Sequence, residues 1–282
     1  MSDVVELKEF VNKYESLRKE IHKVISISIL YFNLGTGDDY LYKGITEFLG
    51  MNTGTPLIVK EKADVGFVVD PDVDRLAFVM EDGVPFGEEY TLVAMAEYIL
   101  SITPGNTVSN LSSTRALADV TQKYGCNYTA AAVGEVNVVN TMKETNAIIG
   151  GEGNGGIIYP ESHYGRDALV GVGLFLTHLA NEKISSKEMR DALPNYEMSK
   201  NKIQLTPQID VDDILIKMKE KYKNERVNDI DGVKIDFANE WVHLRKSNTE
   251  PIIRVYSESG TEKGAREIAN QIIDDIHEII NK

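Results

Sequence analysis

The stretch that decides the fold is Val65–Met80, with the sequence VGFVVDPDVDRLAFVM. Two short apolar runs, 65–69 and 76–80, flank a charged segment that contains a proline. Short runs rich in valine and phenylalanine predict buried β-strands, and the following Glu81-Asp82-Gly83 predicts a turn of the kind that joins antiparallel strands. The charged segment between the runs is therefore predicted to be a loop at the end of a strand.

Downstream of this stretch, helical and strand-like segments alternate along the chain. Helices are predicted at 88–100, 113–124, 135–145 and 167–182, and strands between them at 107–111, 127–133 and 147–151. Strands separated by helices of this length indicate a largely parallel sheet with helices on both faces. Ligands of such sheets bind beyond the carboxyl ends of the strands, so the loops at those ends are candidate sites.

Two further regions frame this alternating core. Upstream, an amphipathic helix is predicted over 4–24 and a strand within the apolar run 24–32. Downstream, Pro194 and the polar residues after it predict a domain boundary. A separate α+β domain is expected beyond it, with helices at about 211–223 and 261–280 and β segments near 233–238, 241–245 and 252–257.

Composition and charge restrict the possible functions. The 282 residues carry a net charge of −14, and the resulting field would repel nucleic acid and anionic membrane surfaces. Any bound phosphate must therefore be held by a local basic cluster. The single cysteine, Cys126, excludes an internal disulfide, and the opening residues show no signal-peptide pattern, so the cytoplasm is the expected compartment.

The first candidate site is the loop Asp70-Pro71-Asp72-Val73-Asp74-Arg75. Its three carboxylates at alternate positions would offer hard oxygen ligands to a divalent cation, and Mg²⁺ is the favoured ion. A solvated acidic turn is the alternative. A helix-loop-helix calcium site also matches the spacing of Asp70, Asp72, Asp74 and Glu81, but Arg75 stands where that loop needs glycine and the flanking segments are strands.

The second candidate site is the glycine-rich segment 150–156, which follows the apolar run 147–149. Its glycines leave Glu152 and Asn154 able to hydrogen-bond a polyhydroxylated ligand at close approach to the backbone. A glycine-rich turn is weak evidence when it is taken alone. It does not match the dinucleotide-binding pattern, because no helix opens directly on it.

The third candidate site is the segment Arg245–Pro251, together with Arg254. The two guanidinium groups, the hydroxyls of Ser247 and Thr249, and the amide of Asn248 would together bind a phosphate. A structural turn is the alternative for a Ser-Asn-Thr sequence. Two arginines so close together in such an acidic chain favour anion binding.

These three loops, in this order, resemble those of the α-D-phosphohexomutase superfamily, enzymes that interconvert sugar 1-phosphates and 6-phosphates. The segment 70–75 is similar to the family's D-x-D-x-D-R magnesium loop, 151–155 to its G-E-x-S-G sugar-binding loop, and 245–251 to its R-x-S-N-T-x-P phosphate loop. The resemblance extends from about residue 64 to the C-terminus. Segments 87–92 and 163–169 resemble the branch that includes bacterial phosphoglucosamine mutases and phosphomannomutases.

The resemblance implies a role for each candidate residue. Asp70, Asp72 and Asp74 would bind Mg²⁺, with Arg75 as a catalytic residue beside them. Binding of the hexose phosphate would fall to a larger set, namely Glu152, Asn154, Arg245, Ser247, Asn248, Thr249 and Arg254. The fold class is then α/β, with mixed, largely parallel sheet domains flanked by helices, plus a C-terminal α+β domain.

The same resemblance implies three domains. Residues 1–83 would form an N-terminal helix and a shortened metal-loop domain, 84–194 an α/β sugar-binding domain, and 195–282 an α+β phosphate-binding domain. No T-A-S-H-N-P-like motif, which carries the family's phosphoserine, occurs in the sequence. The chain is therefore expected to lack the N-terminal phosphoserine domain and to have little activity alone.

The function expected from the resemblance is that of a Mg²⁺-dependent isomerase, a phosphoglucosamine mutase or phosphomannomutase. Its partner would be a hexose phosphate, with neither nucleic acid nor membrane. Asn154 replaces the family's usual serine and Gly156 a frequent histidine, which leaves the preferred hexose open. A non-catalytic sugar-phosphate-binding remnant is the competing hypothesis. A phosphatase-like hydrolase is a third, without an identified general base, and the oligomeric state is not predicted.

Overall fold

The computed structural model describes residues 24–28, 57–205, 209–247 and 251–281. The chain divides into two compact units. The first unit runs to Pro194, and the second runs from Asn195 and also includes two short segments, Asn110–Arg115 and Ala130–Val133. The predicted division into domains at 1–83, 84–194 and 195–282 stays a prediction.

The first sheet contains the stretch Val65–Met80. Its strands, in the order β1-β2-β3, are Val24–Ser28, Val65–Val69 and Leu76–Met80. Strands β1 and β2 are parallel, whereas β2 and β3 are antiparallel, with Val69 opposite Leu76. The predicted strands 65–69 and 76–80 are confirmed, and the acidic segment 70–75 is the loop between them. The predicted helix over 4–24 falls outside the described residues except for Val24, which begins β1.

The second sheet also lies in the first unit and has four strands, in the order β5-β4-β6-β7. Their bounds are Asn106–Asn110 (β4), Tyr128–Ala131 (β5), Ala147–Glu152 (β6) and Gly156–Ile158 (β7). Strands β4 and β6 are parallel, and β6 and β7 are antiparallel. Strand β7 was not predicted, because it is short and begins inside the glycine-rich segment.

Helices of the first unit connect these strands. They are α1 to α6, with bounds Leu57–Glu61, Glu88–Ile102, Ala116–Lys123, Glu135–Thr145, Ala168–Glu182 and Ser186–Asp191. Four of them match the predicted series; α1 was not predicted, and neither was α6. Its N-terminus is closed by a capping box, in which the Ser185 hydroxyl accepts from the Glu188 amide and the Glu188 carboxylate accepts from the Ser185 amide.

An aromatic cluster fixes helix α5 against the first sheet. Phe67 on β2, Phe78 on β3 and Phe175 on α5 are all 2% exposed or less. The rings of Phe78 and Phe175 are stacked, with centroids 3.9 Å apart. Since buried aromatic side chains contribute strongly to core stability, this cluster anchors α5 on the sheet. The segment before α5 is held in place at its cap, where Asp167 accepts hydrogen bonds from the amides of Leu169 and Val170.

The second unit is a five-stranded antiparallel sheet in the order β8-β12-β11-β10-β9. Its strands are Glu197–Gln204, Arg226–Asn228, Val233–Asp236, Trp241–Lys246 and Ile252–Ser259, numbered β8 to β12, and its helices are Val211–Lys221 (α7) and Glu262–Ile280 (α8). One face of the sheet buries aliphatic residues against both helices. The predicted helices and three β segments of this α+β region are confirmed.

Strand β8 lies in the polar stretch that follows Pro194 and was not predicted. Ser199 and Asn201, which the sequence placed in a boundary segment, pair in register with Ser257 and Val255 of β12. The strand lies at the edge of the sheet and buries little apart from Ile203. Its position is set by main-chain hydrogen bonds, so it lacks the apolar alternation that identifies a strand in sequence.

Candidate functional site

The acidic loop 70–75 is organised around Asp70, which is 4% exposed. One oxygen of its carboxylate accepts hydrogen bonds from the amides of Asp74 and Arg75, at 3.1 and 3.2 Å. Burial raises the pKa of Asp70, and the nearby Asp74 carboxyl raises it further, although the Arg75 amide acts in the opposite direction. The loop therefore brings two carboxyl groups together in a partly desolvated place.

Arg75 lies beside this pair of carboxyl groups. Its Nε is 3.8 Å from Asp70 and 3.9 Å from Asp74. The third predicted ligand, Asp72, lies on the exposed tip of the loop, next to Val73, which has a positive φ of 57°. Within the described residues, no three acidic, histidine or cysteine side chains converge as a metal site. Asp70 and Asp74 nevertheless fit a hard divalent cation, because their oxygens are close together and repel one another.

The predicted sugar-binding acid, Glu152, ends strand β6 and is 4% exposed. One of its carboxylate oxygens accepts from the Gly134 amide at 3.1 Å, and the other accepts from Arg166 Nη1 at 3.0 Å. The second predicted residue, Asn154, is partly exposed and accepts from the Gly156 amide at 3.3 Å. The structure thus fixes the Glu152 carboxylate with protein groups on both oxygens.

The glycines of this loop make room for protein atoms. A Cβ on Gly151 would lie 2.0 Å from the Gly156 carbonyl oxygen, and one on Gly155, where φ is 85°, would lie 2.4 Å from the Leu76 carbonyl oxygen. The Leu76 amide donates to the Gly155 carbonyl at 3.0 Å, which ties the glycine loop to strand β3. The glycine content predicts close approach of a ligand, whereas in the structure Gly151 and Gly155 permit close packing of backbone.

Arg166 is the residue of this region that sequence reasoning missed. Its side chain is 14% exposed. Its guanidinium forms ion pairs with Asp74 of the acidic loop, with Glu152 at the end of β6 at 3.0 Å and with Glu135 at 3.5 Å. The Arg166 amide also donates to Glu135 at 3.0 Å. In the sequence, the segment 163–169 shows only a family resemblance, since nothing local to Arg166 indicates three acidic partners.

In the second unit, the two predicted phosphate-binding arginines lie directly opposite each other. Arg245 on β11 pairs in register with Arg254 on β12, and Arg254 pairs with Lys202 on β8. Residues at paired positions project from the same face of a sheet, so three cationic side chains form a row across three strands. Lys202 was not predicted.

Two of the predicted residues of this segment, Asn248 and Thr249, lie outside the described residues. Ser247 is described, and its amide donates to the Ile252 carbonyl at 3.1 Å. Ser247 and Ile252, on either side of Asn248 and Thr249, are therefore neighbours. The roles assigned to all the candidate residues stay predictions.

Asp231 supports Arg245 from a turn between strands. Its carboxylate lies 3.0 Å from Arg245 Nε and accepts from the Val133 amide at 3.0 Å. Its carbonyl accepts from His243 Nε2 at 2.7 Å, which makes Nδ1 of that ring the acceptor for the Ser112 hydroxyl at 2.8 Å. Burial lowers the pKa of His243 to about 4, so the ring is neutral at pH 7.

A buried polar cluster continues along the same face. The Lys234 ammonium lies 4.0 Å from the Trp241 ring and donates to the Leu111 carbonyl at 2.9 Å. The Trp241 indole donates to Glu258 at 2.7 Å. Burial lowers the pKa of Lys234 to about 8 and raises the pKa of Glu258. These buried groups lie beside the cationic row, and their hydrogen bonds hold each side chain to one partner.

Comparisons with known proteins identify two matching family models. Residues 87–196 match the phosphoglucomutase/phosphomannomutase alpha/beta/alpha domain III, and residues 202–275 match the phosphoglucomutase/phosphomannomutase C-terminal domain. Similar curated proteins include a phosphoglucosamine/phosphogalactosamine mutase of Sulfurisphaera tokodaii, which is 34% identical over 78% of this chain and 48% of its own length. A phosphoglucomutase/phosphomannomutase of Thermococcus kodakarensis is 33% identical over 73% of this chain and 45% of its own length.

Solved structures show the same fold. A phosphoglucomutase/phosphomannomutase family protein from Burkholderia thailandensis superposes with a TM-score of 0.70 at 22% identity, covering 94% of this chain and 63% of that one. An Aspergillus fumigatus N-acetylphosphoglucosamine mutase, in complex with GlcNAc-6P and magnesium, gives 0.61 at 12% identity, covering 93% of this chain and 68% of that one. The chain spans about half the length of the curated relatives it matches. In the described ranges, no helix is long and apolar enough to cross a membrane.

Proposed function

We propose that this chain, which belongs to the α-D-phosphohexomutase superfamily, holds the hexose phosphate in an enzyme that interconverts hexose 1-phosphates and 6-phosphates. Relatives named as a phosphoglucosamine/phosphogalactosamine mutase and as a phosphomannomutase support glucosamine phosphates and mannose phosphates as the substrate classes. Because the chain spans about half of those relatives, the activity of the whole protein is part of the proposal. A reducing, cytoplasmic setting is proposed on the basis of the single cysteine.

The observation that carries the proposal is the pair Arg245 and Arg254. Like charges directly opposite one another in a sheet destabilise it. The Asp231 carboxylate, 3.0 Å from Arg245 Nε, offsets one of these charges, and a dianionic phosphate would offset the rest, since guanidinium groups form strong charge-assisted hydrogen bonds with its oxygens. In a chain of net charge −14, a local cationic row supports specific anion binding.

In the first unit, the candidate residues would have two tasks. Glu152 and Asn154 would bind ring hydroxyls of the sugar, and Asp70, Asp72 and Asp74 would hold Mg²⁺. When bound, Mg²⁺ would supply positive charge that offsets the charge on the phosphoryl group during transfer. Arg75, which lies within 4 Å of both Asp70 and Asp74, would keep their carboxylates oriented and add a second positive charge.

The remaining requirement of the mutase reaction is a phosphoryl carrier. The family's carrier is a phosphoserine in a T-A-S-H-N-P-like loop, and the 282 residues contain no such motif. This observation favours a second candidate, in which these residues bind hexose phosphates without turning them over. The two candidates share the binding step and differ only in catalysis.

Binding is tested by calorimetry with glucosamine 6-phosphate. We expect Arg245→Ala to weaken the affinity at least about tenfold, because one charge-assisted contact is lost. The matched control is Lys246→Ala, which removes the same charge from the next residue of β11. Lys246 pairs with Asp212 on the other side of the strand. Equal affinities for wild type and Arg245→Ala would contradict the proposal.

Catalysis is tested separately with a coupled isomerisation assay that contains Mg²⁺ and a glucosamine bisphosphate activator. The 282-residue polypeptide is expected to show negligible turnover, because it has no phosphoserine loop. Turnover at ordinary enzyme rates would show that another group of this chain carries the phosphoryl group. If the chain binds the sugar phosphate without turnover, and a polypeptide that supplies a phosphoserine loop then gives turnover, the mutase is supported over the purely binding protein.

A further inference from the structure

Arg166 connects the acidic loop 70–75 with the glycine-rich segment 150–156 of the first unit. Its guanidinium contacts Asp74 in the 70–75 loop and Glu152 in the glycine-rich loop, and its third partner, Glu135, opens helix α4. These positions are far apart in sequence, with Asp74 92 residues and Glu135 31 residues from Arg166. One side chain therefore joins the acidic loop 70–75, the end of β6 and the start of helix α4.

The chemistry of arginine suits this task. A guanidinium presents five N–H donors in a rigid planar fork, so it can serve several carboxylates at once, whereas an ammonium acts as a compact point charge. With 14% of the side chain exposed, these contacts are little weakened by solvent. Without the guanidinium, Asp74 and Glu152 would be two like charges in a poorly solvated region, and each would be expected to turn toward water.

The backbone around Arg166 is also held in place. Arg166 forms an isolated antiparallel bridge with Ile158, and the Asp167 amide donates to the Ile157 carbonyl at 3.0 Å. The side chain then passes over Gly156, where a Cβ would lie 2.4 Å from Arg166 Cδ. The absence of a side chain at position 156 is what gives the arginine its path.

We propose that Arg166 is a positioning residue, which fixes the carboxylates of Glu152 and Asp74 relative to each other through a path that Gly156 leaves open. The ligands of these carboxylates rest on the proposed function, in which Glu152 binds the sugar and Asp74 binds a metal ion. The arrangement itself does not depend on that assignment. Glycine at 156 and arginine at 166 form a matched pair, so the two residues are expected to act together.

The first measurement needs no ligand. The Gly134 amide donates to Glu152, so its hydrogen-exchange rate reports whether that carboxylate stays in place. We expect Arg166→Ala to raise this rate at least about tenfold. The Met80 amide, which donates to the Val84 carbonyl in the turn after β3, should not change and serves as the control for folding. Unchanged exchange at Gly134 in a folded Arg166→Ala variant would overturn the proposal.

The second measurement separates positioning from general stability. Glucosamine 6-phosphate affinity should fall about tenfold in Arg166→Ala, because the sugar-binding acid is displaced, while inorganic phosphate affinity should change less than about twofold. A parallel loss of both would indicate a merely structural role and count against the proposal. Should wild type bind neither ligand, the proposed function fails, and the Gly134 exchange rate alone decides the role of Arg166.

The third measurement tests the matched pair. Gly156→Ala should weaken glucosamine 6-phosphate binding in the wild-type background and have no further effect in Arg166→Ala, since the clash is then removed. Additive losses would overturn the pairing. If Arg166→Ala does not fold, Arg166→Lys replaces it in the exchange and binding experiments. Lysine keeps the charge without the fork, so faster Gly134 exchange is again expected, and wild-type behaviour of this variant would overturn the proposal.

Discussion

The two charged regions of the molecule hold their side chains by different means. In the first unit the acids lie on loops and at element ends, and ion pairs with Arg75 and Arg166 bring them together. In the second unit Arg245 and Arg254 lie within paired strands, so the register of the sheet places them opposite each other. The acidic side chains of the first unit are held in place by ion pairs, whereas a residue within a strand is placed by backbone pairing. Pairing of strands can therefore keep two like charges side by side.

The two regions also differ in what remains for a ligand. Glu152 uses both carboxylate oxygens in contacts with the protein, whereas the described partner of Arg254 is a neutral hydroxyl, that of Tyr256 at 3.3 Å. Among the described residues, no carboxylate is paired with Arg254. The cationic face is the part that we propose to bind an anion, whereas the carboxylates of Glu152 and Asp74 are already held by protein groups.

The largest expected effect concerns the buried support of the strand-based region, at His243. Burial lowers its pKa from 6.5 to about 4. The unfolded chain therefore takes up a proton on this ring as the pH falls below 6.5, while the folded chain does not until pH 4. The free energy of unfolding should fall over this interval by up to about 3 kcal/mol from this group. Urea titrations followed by the fluorescence of Trp241, the single tryptophan, measure the loss.

The control for this prediction is His243→Gln. Glutamine keeps a donor and an acceptor near Asp231 and Ser112 and does not titrate. The variant should lose most of the pH dependence between 6.5 and 4. An unchanged slope would mean that other groups, such as carboxylates, account for the acid sensitivity, and that the buried imidazole does not limit the stability of this sheet.

An intermediate effect is expected at Arg254, where binding and stability should move in opposite directions. Arg254→Gln should weaken inorganic phosphate binding by about tenfold to hundredfold, because one guanidinium is lost. The same change should stabilise the sheet by about 0.2–1 kcal/mol, because the repulsion with Arg245 and Lys202 is relieved. Calorimetry and urea unfolding measure the two quantities.

Lys219→Gln provides the matched change of charge in the same unit. Lys219 is an exposed residue of α7 that pairs with Asp229. Its replacement should leave phosphate affinity within about twofold of wild type, because exposed ion pairs contribute little. If Arg254→Gln instead lost stability and kept its phosphate affinity, the cationic row would have a structural role.

The smallest effect is expected at Glu135, the outermost partner of Arg166. Its side chain is 36% exposed, and its ion pair with Arg166 is the longest of the three. Glu135→Gln should weaken glucosamine 6-phosphate binding about threefold, since an exposed ion pair contributes under about 1 kcal/mol. Glu144→Gln removes the same charge from an exposed position of the same helix and should have no effect. Equal losses in both variants would assign the effect to net charge.

Much of the fold was predictable because local patterns and tertiary structure agree. The strands 65–69 and 76–80 carry their own apolar signal, and each is buried almost throughout. Helix 135–145 was predicted with the observed bounds. Strand β8 was missed because its polar residues gain their structure from pairing with β12, which no local pattern records.

The candidate site was predictable as three loops but not as a set of contacts. The residue types at 70–75, 150–156 and 245–251 indicate acidic, glycine-rich and cationic turns without reference to structure. The sequence placed Arg75 beside the acidic loop, and it is there. It gave no reason to connect Arg166 with Asp74, because contacts between residues so distant in sequence depend on how the helices and strands pack.

The sequence by itself determined the kind of chemistry each loop offers, because side-chain charge, hydrogen-bonding capacity and the freedom of glycine are properties of single residues. Only the tertiary structure decided which charges are neutralised inside the protein and which are left for a ligand. The physical reason is that burial and partner distance control the energy of a charge. Both are set by packing between segments that are distant in the chain.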